Sequence, residues 1–182
     1  MTFEKTVTLK DGRNCLLRNG VTSDGKAVLD VFNRTHEETD YLLTYSDENC
    51  FTASQEADFL QRKTDSANNV EIIAVVDDVV AGTAGIDALG MRDKIKHRAV
   101  FGIAITKEFW GLGIGKSLME ACIECAREAG YLQLELEVVA GNERAVEMYR
   151  RAGFIEYGRN PKGFRLRTGE YQELIDMRLE LK

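Results

Sequence analysis

Hydrophobic positions along the chain switch between two spacings, and the switches mark its elements. Alternation over Glu4–Lys10 and Asn14–Arg18, around the turn pair Asp11-Gly12, predicts an opening hairpin. Ser23-Asp24 then starts a helical pattern carrying Ala27, Val28, Val31 and Phe32. A second helix is predicted from about Thr52, where Gln55 completes a capping box, to about Lys63. Val70–Val76 and Val79–Ala88 read as strands joined at Asp77-Asp78, and His97–Thr106 as a further strand. After a glycine-rich stretch, a helix is expected from Ile114 to about Ala129. Leu132, Leu134, Leu136 and Val138 then alternate with Gln133, Glu135 and Glu137, the period of a half-buried strand. A helix beginning at Asn142 and two last strands, about Phe154–Arg159 and Gln172–Leu181, complete the order. Pro161, the single proline, falls in a predicted turn over Asn160–Gly163. Periodicity alone therefore predicts an α/β domain with a mixed sheet, without internal repeats or a linker.

Composition narrows the class. A chain of 182 residues can bury one core and is short for two domains, so one domain over residues 1–182 is expected. Hydrophobic residues make up 44% and charged ones 30%, ordinary values for a water-soluble fold. No stretch approaches the roughly 18 consecutive apolar residues of a membrane span. Met1-Thr2-Phe3-Glu4-Lys5 has no apolar signal region, so a cytoplasmic location is expected. The net charge of −6 argues against nucleic-acid binding and suits attraction of a cationic amine. Cys122 and Cys125 have C-x-x-C spacing, but they lie within a predicted helix on its apolar stripe, beside Leu118 and Ala129. Core packing is the expected role, and no metal site is expected.

The candidate chemistry lies between a strand and a helix, in Trp110-Gly111-Leu112-Gly113-Ile114-Gly115-Lys116. A glycine-rich turn there leaves backbone N–H groups free to close on a phosphate at the positive end of the helix. Two common phosphate loops do not fit. The G-x-G-x-x-G dinucleotide fingerprint would need a small residue where Lys116 stands. A Walker A loop would need glycine where Trp110 stands, although Gly115-Lys116-Ser117 supplies its ending.

The spacing Trp110-x-x-Gly113-x-Gly115 resembles the pyrophosphate loop of the GNAT superfamily of N-acetyltransferases, usually Gln/Arg-x-x-Gly-x-Gly/Ala. Trp110 is the departure, at a place where binding runs mainly through backbone amides. A second block, Asn142-Glu143-Arg144-Ala145-Val146-Glu147-Met148-Tyr149-Arg150-Arg151-Ala152-Gly153-Phe154, resembles the family's Asn-x-x-Ala-x-x-x-Tyr-x-x-x-Gly-Phe segment. Asn142 and Tyr149 are seven positions apart, two helical turns, and so face one side. Asn142 reads as an N-cap and Gly153 as the residue that ends the helix.

That resemblance implies a single GNAT-fold domain with a mixed, mostly antiparallel central sheet flanked by helices. It implies acetyl-coenzyme A as cosubstrate and transfer of the acetyl group to a primary amine of a small molecule or peptide. The amides of Gly111, Leu112, Gly113, Ile114, Gly115 and Lys116 would take the pyrophosphate. Ile103, Ala104 and Ile105 would pair with the pantetheine arm, and the Ile103 N–H would polarise the thioester carbonyl. Asn142 would contact the coenzyme, and Tyr149 would be the general acid. The base is left open among Glu71, His97, Glu135 and Glu137. The segment from His36 to Phe51 carries Glu37, Glu38, Asp40, Asp47 and Glu48 with Tyr41 and Tyr45, and no Lys or Arg, which suits a cationic acceptor. The basic loop Gly158–Arg167 points instead to coenzyme phosphates or a dimer contact, so the acceptor also stays open. A homodimer is common in the family. The alternative function is a non-catalytic acyl-coenzyme A sensor of the same fold, and a longer acyl chain is a further alternative to acetyl.

Overall fold

The computed structural model describes residues 1–181. β1 (Glu4–Thr8) and β2 (Asn14–Asn19) form the opening hairpin, followed by α1 (Gly25–Glu38) and α2 (Ala53–Asp65). β3 (Val70–Val76), β4 (Val79–Ala88) and β5 (Arg98–Ile105) lead into α3 (Ile114–Glu128). β6 (Gln133–Val139), α4 (Glu143–Arg151), β7 (Ile155–Arg165) and β8 (Tyr171–Glu180) follow. The strands form one sheet in the order β1-β2-β3-β4-β5-β6-β8-β7. Every neighbouring pair is antiparallel but β5–β6, which α3 joins as a crossover.

Local chemistry explains the joints. Asp77 and Asp78 both take positive φ, the paired left-handed geometry of a tight two-residue hairpin turn. Thr52 Oγ1 accepts from the Gln55 N–H at 3.3 Å while Gln55 Oε1 accepts from the Thr52 N–H at 2.8 Å, starting α2. Gly153, at φ +98°, ends α4, and the Phe154 N–H then donates back to the Tyr149 carbonyl at 3.0 Å.

Two helical layers cover the sheet. α3 packs one face with Ile114, Leu118, Met119, Cys122, Cys125 and Ala126. Both cysteines are buried and unpaired, as core residues are. α1 and α2 cover the other face, where Val28, Leu60 and Ile73 form a second cluster. β3 lies beneath both layers, so its Ile72-Ile73-Ala74 run is continuously apolar instead of alternating. Among the described residues, no helix is long and apolar enough to cross a membrane.

One expected boundary is wrong. Asn160–Gly163 is not a turn, because β7 continues through it to Arg165. Its register against β8 slips between Asn160, opposite Leu174, and Phe164, opposite Gln172, so residues 161–163 bulge from the ladder. β7 is the outermost strand of the sheet, where a proline without an N–H can be absorbed. Gly163 is needed there, since a Cβ would lie 2.3 Å from the Leu174 side chain.

Candidate functional site

The site begins where two strands part. β5 and β6 pair at only three positions, Arg98 with Gln133, Ala99 with Leu134 and Val100 with Glu135. Beyond them β6 runs on against β8 to Val139, and β5 runs on against β4 to Ile105. The stretch from Phe101 to Ile105 therefore keeps one edge without a strand partner. Ile103, Ala104 and Ile105 all lie in it, half-buried. A bare strand edge offers N–H and C=O groups that an extended amide-bearing chain can join. Gly102 adds open space, with nothing within 4 Å of a Cβ placed on it. The Arg98 guanidinium grips both oxygens of Glu135 next to the last paired residues, with Nη2 to Oε2 at 2.7 Å. That pairing holds the Glu135 carboxyl below the usual carboxylate range and makes it a poor proton acceptor.

At the end of β5 the chain makes a 3₁₀ turn over Lys107–Phe109 and enters the glycine loop. Gly111 (φ +88°) and Gly113 (φ +101°) take left-handed conformations that favour glycine. Gly113 is the N-cap of α3 and has no capping side chain, so the first N–H groups of the helix point outward unanswered. A Cβ on Gly113 would meet nothing within 4 Å, which leaves an open cradle at the positive end of the helix. The residues present thus fit a pyrophosphate. The missing side chain of Gly115 also serves packing, since a Cβ there would press on Met148 Sδ at 3.2 Å and Ile105 Cδ1 at 3.4 Å. Lys116 is 72% exposed, with Glu120 at 3.6 Å from its ammonium. The half-buried Leu112 accepts from the Lys10 N–H at 3.1 Å, which braces the loop on the first hairpin.

Trp110 has a definite task in its unusual place. Its Nε1–H donates to the Ile105 carbonyl at 2.6 Å, tying the loop to the end of β5. Lys107 and Arg144 lie over its ring at 5.8 and 5.7 Å. Arg144 is thereby drawn to the loop, a placement that sequence spacing within α4 did not reveal. Gly113→Val should leave the fold intact at a cost of about 1 kcal/mol for a branched side chain at positive φ. The same change should weaken coenzyme A binding at least ~10-fold, about 1.4 kcal/mol, by calorimetry. An unchanged Kd would remove this loop from the binding role.

On α4, Asn142 caps the helix, its Oδ1 accepting from the Ala145 N–H at 3.3 Å. Its amide nitrogen makes no hydrogen bond among the described residues and stays available to a ligand. Tyr149 is 5% exposed and packs against Phe101 edge-on at 6.2 Å and against Phe154 at 5.8 Å. Phe101 is the first residue of the free stretch of β5, so Tyr149 reaches it from the α3/α4 side. Burial pushes the Tyr149 phenol well above its ordinary value, so it holds its proton.

The opposite face of the same strand opens into a cavity of about 310 Å³. α1 gives it Val28, Val31 and Phe32, α2 gives Glu56 and Phe59, and the strands give Glu71, Thr83 and Ala104. Glu71 stands opposite Gly85 in the ladder, and a Cβ on Gly85 would lie 2.2 Å from Glu71 Oε2. The bare glycine lets the carboxyl lie across β4. Burial pushes the Glu71 carboxyl up to about 7, with Lys63, at 3.9 Å, and Thr83 opposing that rise, and Asp87 and Glu56 adding to it. Lys63 itself is held by Asp87 at 2.5 Å and the Ile86 carbonyl at 3.4 Å. Of the four base candidates, only Glu71 combines a cavity with near-neutral affinity for protons. Glu137 is exposed, and His97 precedes β5 at the end where the strands still pair. Glu56 was missed from the sequence, although a signal existed: Glu56, Leu60 and Lys63 share the buried stripe of α2.

The acidic segment and the basic loop, which suggested different partners, meet each other. Arg167 donates to Asp47 at 2.7 and 2.9 Å, lies 4.1 Å over the Tyr45 ring, and its N–H donates to the Tyr45 hydroxyl. Glu48 accepts from the Tyr45 N–H, and Glu38 accepts from the Lys107 N–H and from Arg34. Three of the five carboxylates, Glu38, Asp47 and Glu48, therefore fasten the fold as well. Glu37 and Asp40 remain exposed.

Comparison with known proteins bears on the same elements. The family model described as acetyltransferase (GNAT) family matches residues 30–154. Mycothiol acetyltransferase of Propionibacterium freudenreichii is 42% identical over 55 residues, 30% of this chain and 18% of that protein. N-alpha-acetyltransferase 30 of Schizosaccharomyces pombe is 37% identical over 57 residues, 31% of this chain and 38% of that protein. The chain thus spans well under half the length of these relatives. The crystal structure of the GNAT-family acetyltransferase from Streptococcus pneumoniae has a TM-score of 0.87 at 28% identity, over 91% of this chain and 99% of that one. A phosphinothricin acetyltransferase from Sinorhizobium meliloti, solved with AcCoA, shares the fold at a TM-score of 0.80 and 18% identity, over 96% and 89% of the two chains. The family match takes in the parting strands, the glycine loop and the helix of Asn142 and Tyr149, and the chain belongs to the acetyltransferase (GNAT) family.

Proposed function

We propose that the protein transfers the acetyl group of acetyl-coenzyme A to a primary amine, with Glu71 taking the amine's proton. One observation carries the reading: the unpartnered stretch of β5 runs from the glycine loop along the wall of a cavity that holds a near-neutral carboxyl. The coenzyme, when bound, supplies the acetyl group as an activated thioester. The N–H groups opening α3 bind its pyrophosphate, with Lys116 adding charge, and the free edge at Ile103–Ile105 orients its arm. The Ile103 N–H is the donor for the reacting carbonyl oxygen. An alkylamine with a pKa of about 10.4 arrives mostly protonated, and a base titrating near 7 suits its deprotonation. Glu71 takes that proton at its carboxyl oxygen. Tyr149, on the other face of the strand, holds a proton at its hydroxyl to offer the leaving sulfur.

The same observation weighs against a pure coenzyme sensor. A buried carboxyl raised to about 7 costs folding stability at neutral pH, and binding a coenzyme gives no use for it. Thiol release from acetyl-coenzyme A, measured over a panel of primary amines from pH 6 to 9, tests the reading. Saturable turnover whose kcat/KM rises through about pH 7 is expected. Coenzyme binding without turnover on any amine would leave the sensor.

A further inference from the structure

The lining of the Glu71 cavity discriminates among amines, if that cavity is the acceptor site as argued above. We infer that the acceptor is a primary amine on an aromatic or compact apolar body, with no carboxylate beside the amine. Three phenyl rings, Phe32, Phe51 and Phe59, wall the cavity, and Phe51 meets Phe59 edge-on at 6.5 Å. At about 310 Å³ the space is at the lower end for small-molecule sites and fits one ring on a short chain better than an extended polyamine.

Charge sets the second half of the preference. Among the described residues, the ionisable groups lining the cavity are Glu56 and Glu71, both carboxyls, and burial raises both. The nearest cation, Lys63, is 5% exposed and faces Asp87 at 2.5 Å, with Phe59 beneath it at 5.3 Å. An incoming ammonium finds two carboxyls and aromatic faces. The carboxylate of an amino acid would enter beside two like charges with no partner of its own. A second ammonium, as on a polyamine, would have to rest against phenyl rings and valines.

The test compares 2-phenylethylamine with phenylalanine, the same body carrying a carboxylate, and with spermidine. Turnover is read by thiol release, and binding by calorimetry with coenzyme A present. 2-Phenylethylamine is expected to exceed both others in kcat/KM by at least about tenfold. Equal or better use of phenylalanine or spermidine overturns the acceptor class while leaving acetyl transfer to Glu71's cavity standing. Selective binding of 2-phenylethylamine without its turnover supports the cavity's selectivity and overturns acetyl transfer within that cavity. Neither binding nor turnover of 2-phenylethylamine overturns the class. Glu56→Gln removes one repelling charge and should narrow the preference over phenylalanine at least about threefold. An unchanged ratio in a folded variant would overturn the charge argument, and the wild-type comparison stands if the variant fails to fold.

Discussion

Glu71→Gln is expected to lower kcat/KM by ~10²–10⁴-fold, the usual worth of a positioned general base, while stabilising the fold above neutral pH. The two effects share one cause. The carboxyl rises from an ordinary 4.5 to about 7 because burial disfavours its charged form. Its folded value lies above its unfolded one, so the stability it contributes is present below about pH 4.5 and lost as pH climbs to about 7. Above that, the ionised group costs the fold up to ~3 kcal/mol. Glutamine keeps the shape and cannot ionise. Thermal melts of the two proteins should nearly coincide at pH 4.5 and diverge in favour of the variant between pH 5 and 8. The rising limb of kcat/KM near pH 7 should vanish with the side chain. Glu135→Gln is the contrasting control, because Arg98 holds that carboxyl below its ordinary range. Its charged form stabilises the fold above the unfolded value, so removing it should destabilise the protein at neutral pH. Coincident melts for wild type and Glu71→Gln at pH 8, or full activity in the variant, would defeat the assignment.

Those two glutamates mark the limit of what the chain reveals unaided. Both sit in strands and either could be a solvated strand carboxylate. Their fates are set by neighbours far away in sequence: Arg98, brought beside Glu135 by the parallel pairing, and Gly85, which clears room for Glu71. Strand and helix identity depends on short-range patterns, so it could be read: the alternation over Leu132–Val138 and the Thr52/Gln55 box describe real elements. The glycine loop was legible for the same reason, since its conformation is written in Gly111 and Gly113 themselves. Where β5 leaves β6 is a property of the whole sheet and has no local sign. That the acidic segment meets the basic loop has no local sign either, because Arg167 lies 120 positions from Asp47. At Pro161 the sequence points to a turn because proline reports a missing N–H, and only the sheet order shows that the N–H is not needed at an outer strand.

Tyr149→Phe should lower kcat by about 10²-fold and leave coenzyme A affinity and stability nearly unchanged, the low end of the range for a general acid. The low end follows from the site. A phenol pushed above its ordinary value by burial is a weaker acid than a thiol, whose pKa is about 8.5. Complete transfer of its proton to sulfur is therefore uphill, and the hydroxyl helps mainly by donating a hydrogen bond as charge grows there. Stability should hold because the ring does the packing, between Phe101 and Phe154, and the hydroxyl has no hydrogen-bond partner among the described residues. Tyr149→Ala separates the two roles. Emptying the ring's place should cost ~3–5 kcal/mol in stability, which Tyr149→Phe avoids. Because the phenol keeps its proton throughout the neutral range, the loss in Tyr149→Phe should be the same from pH 6 to 9. A phenylalanine variant with wild-type kcat across that range would show that Tyr149 only packs, and the proton for the leaving sulfur would then come from solvent entering between β5 and β6.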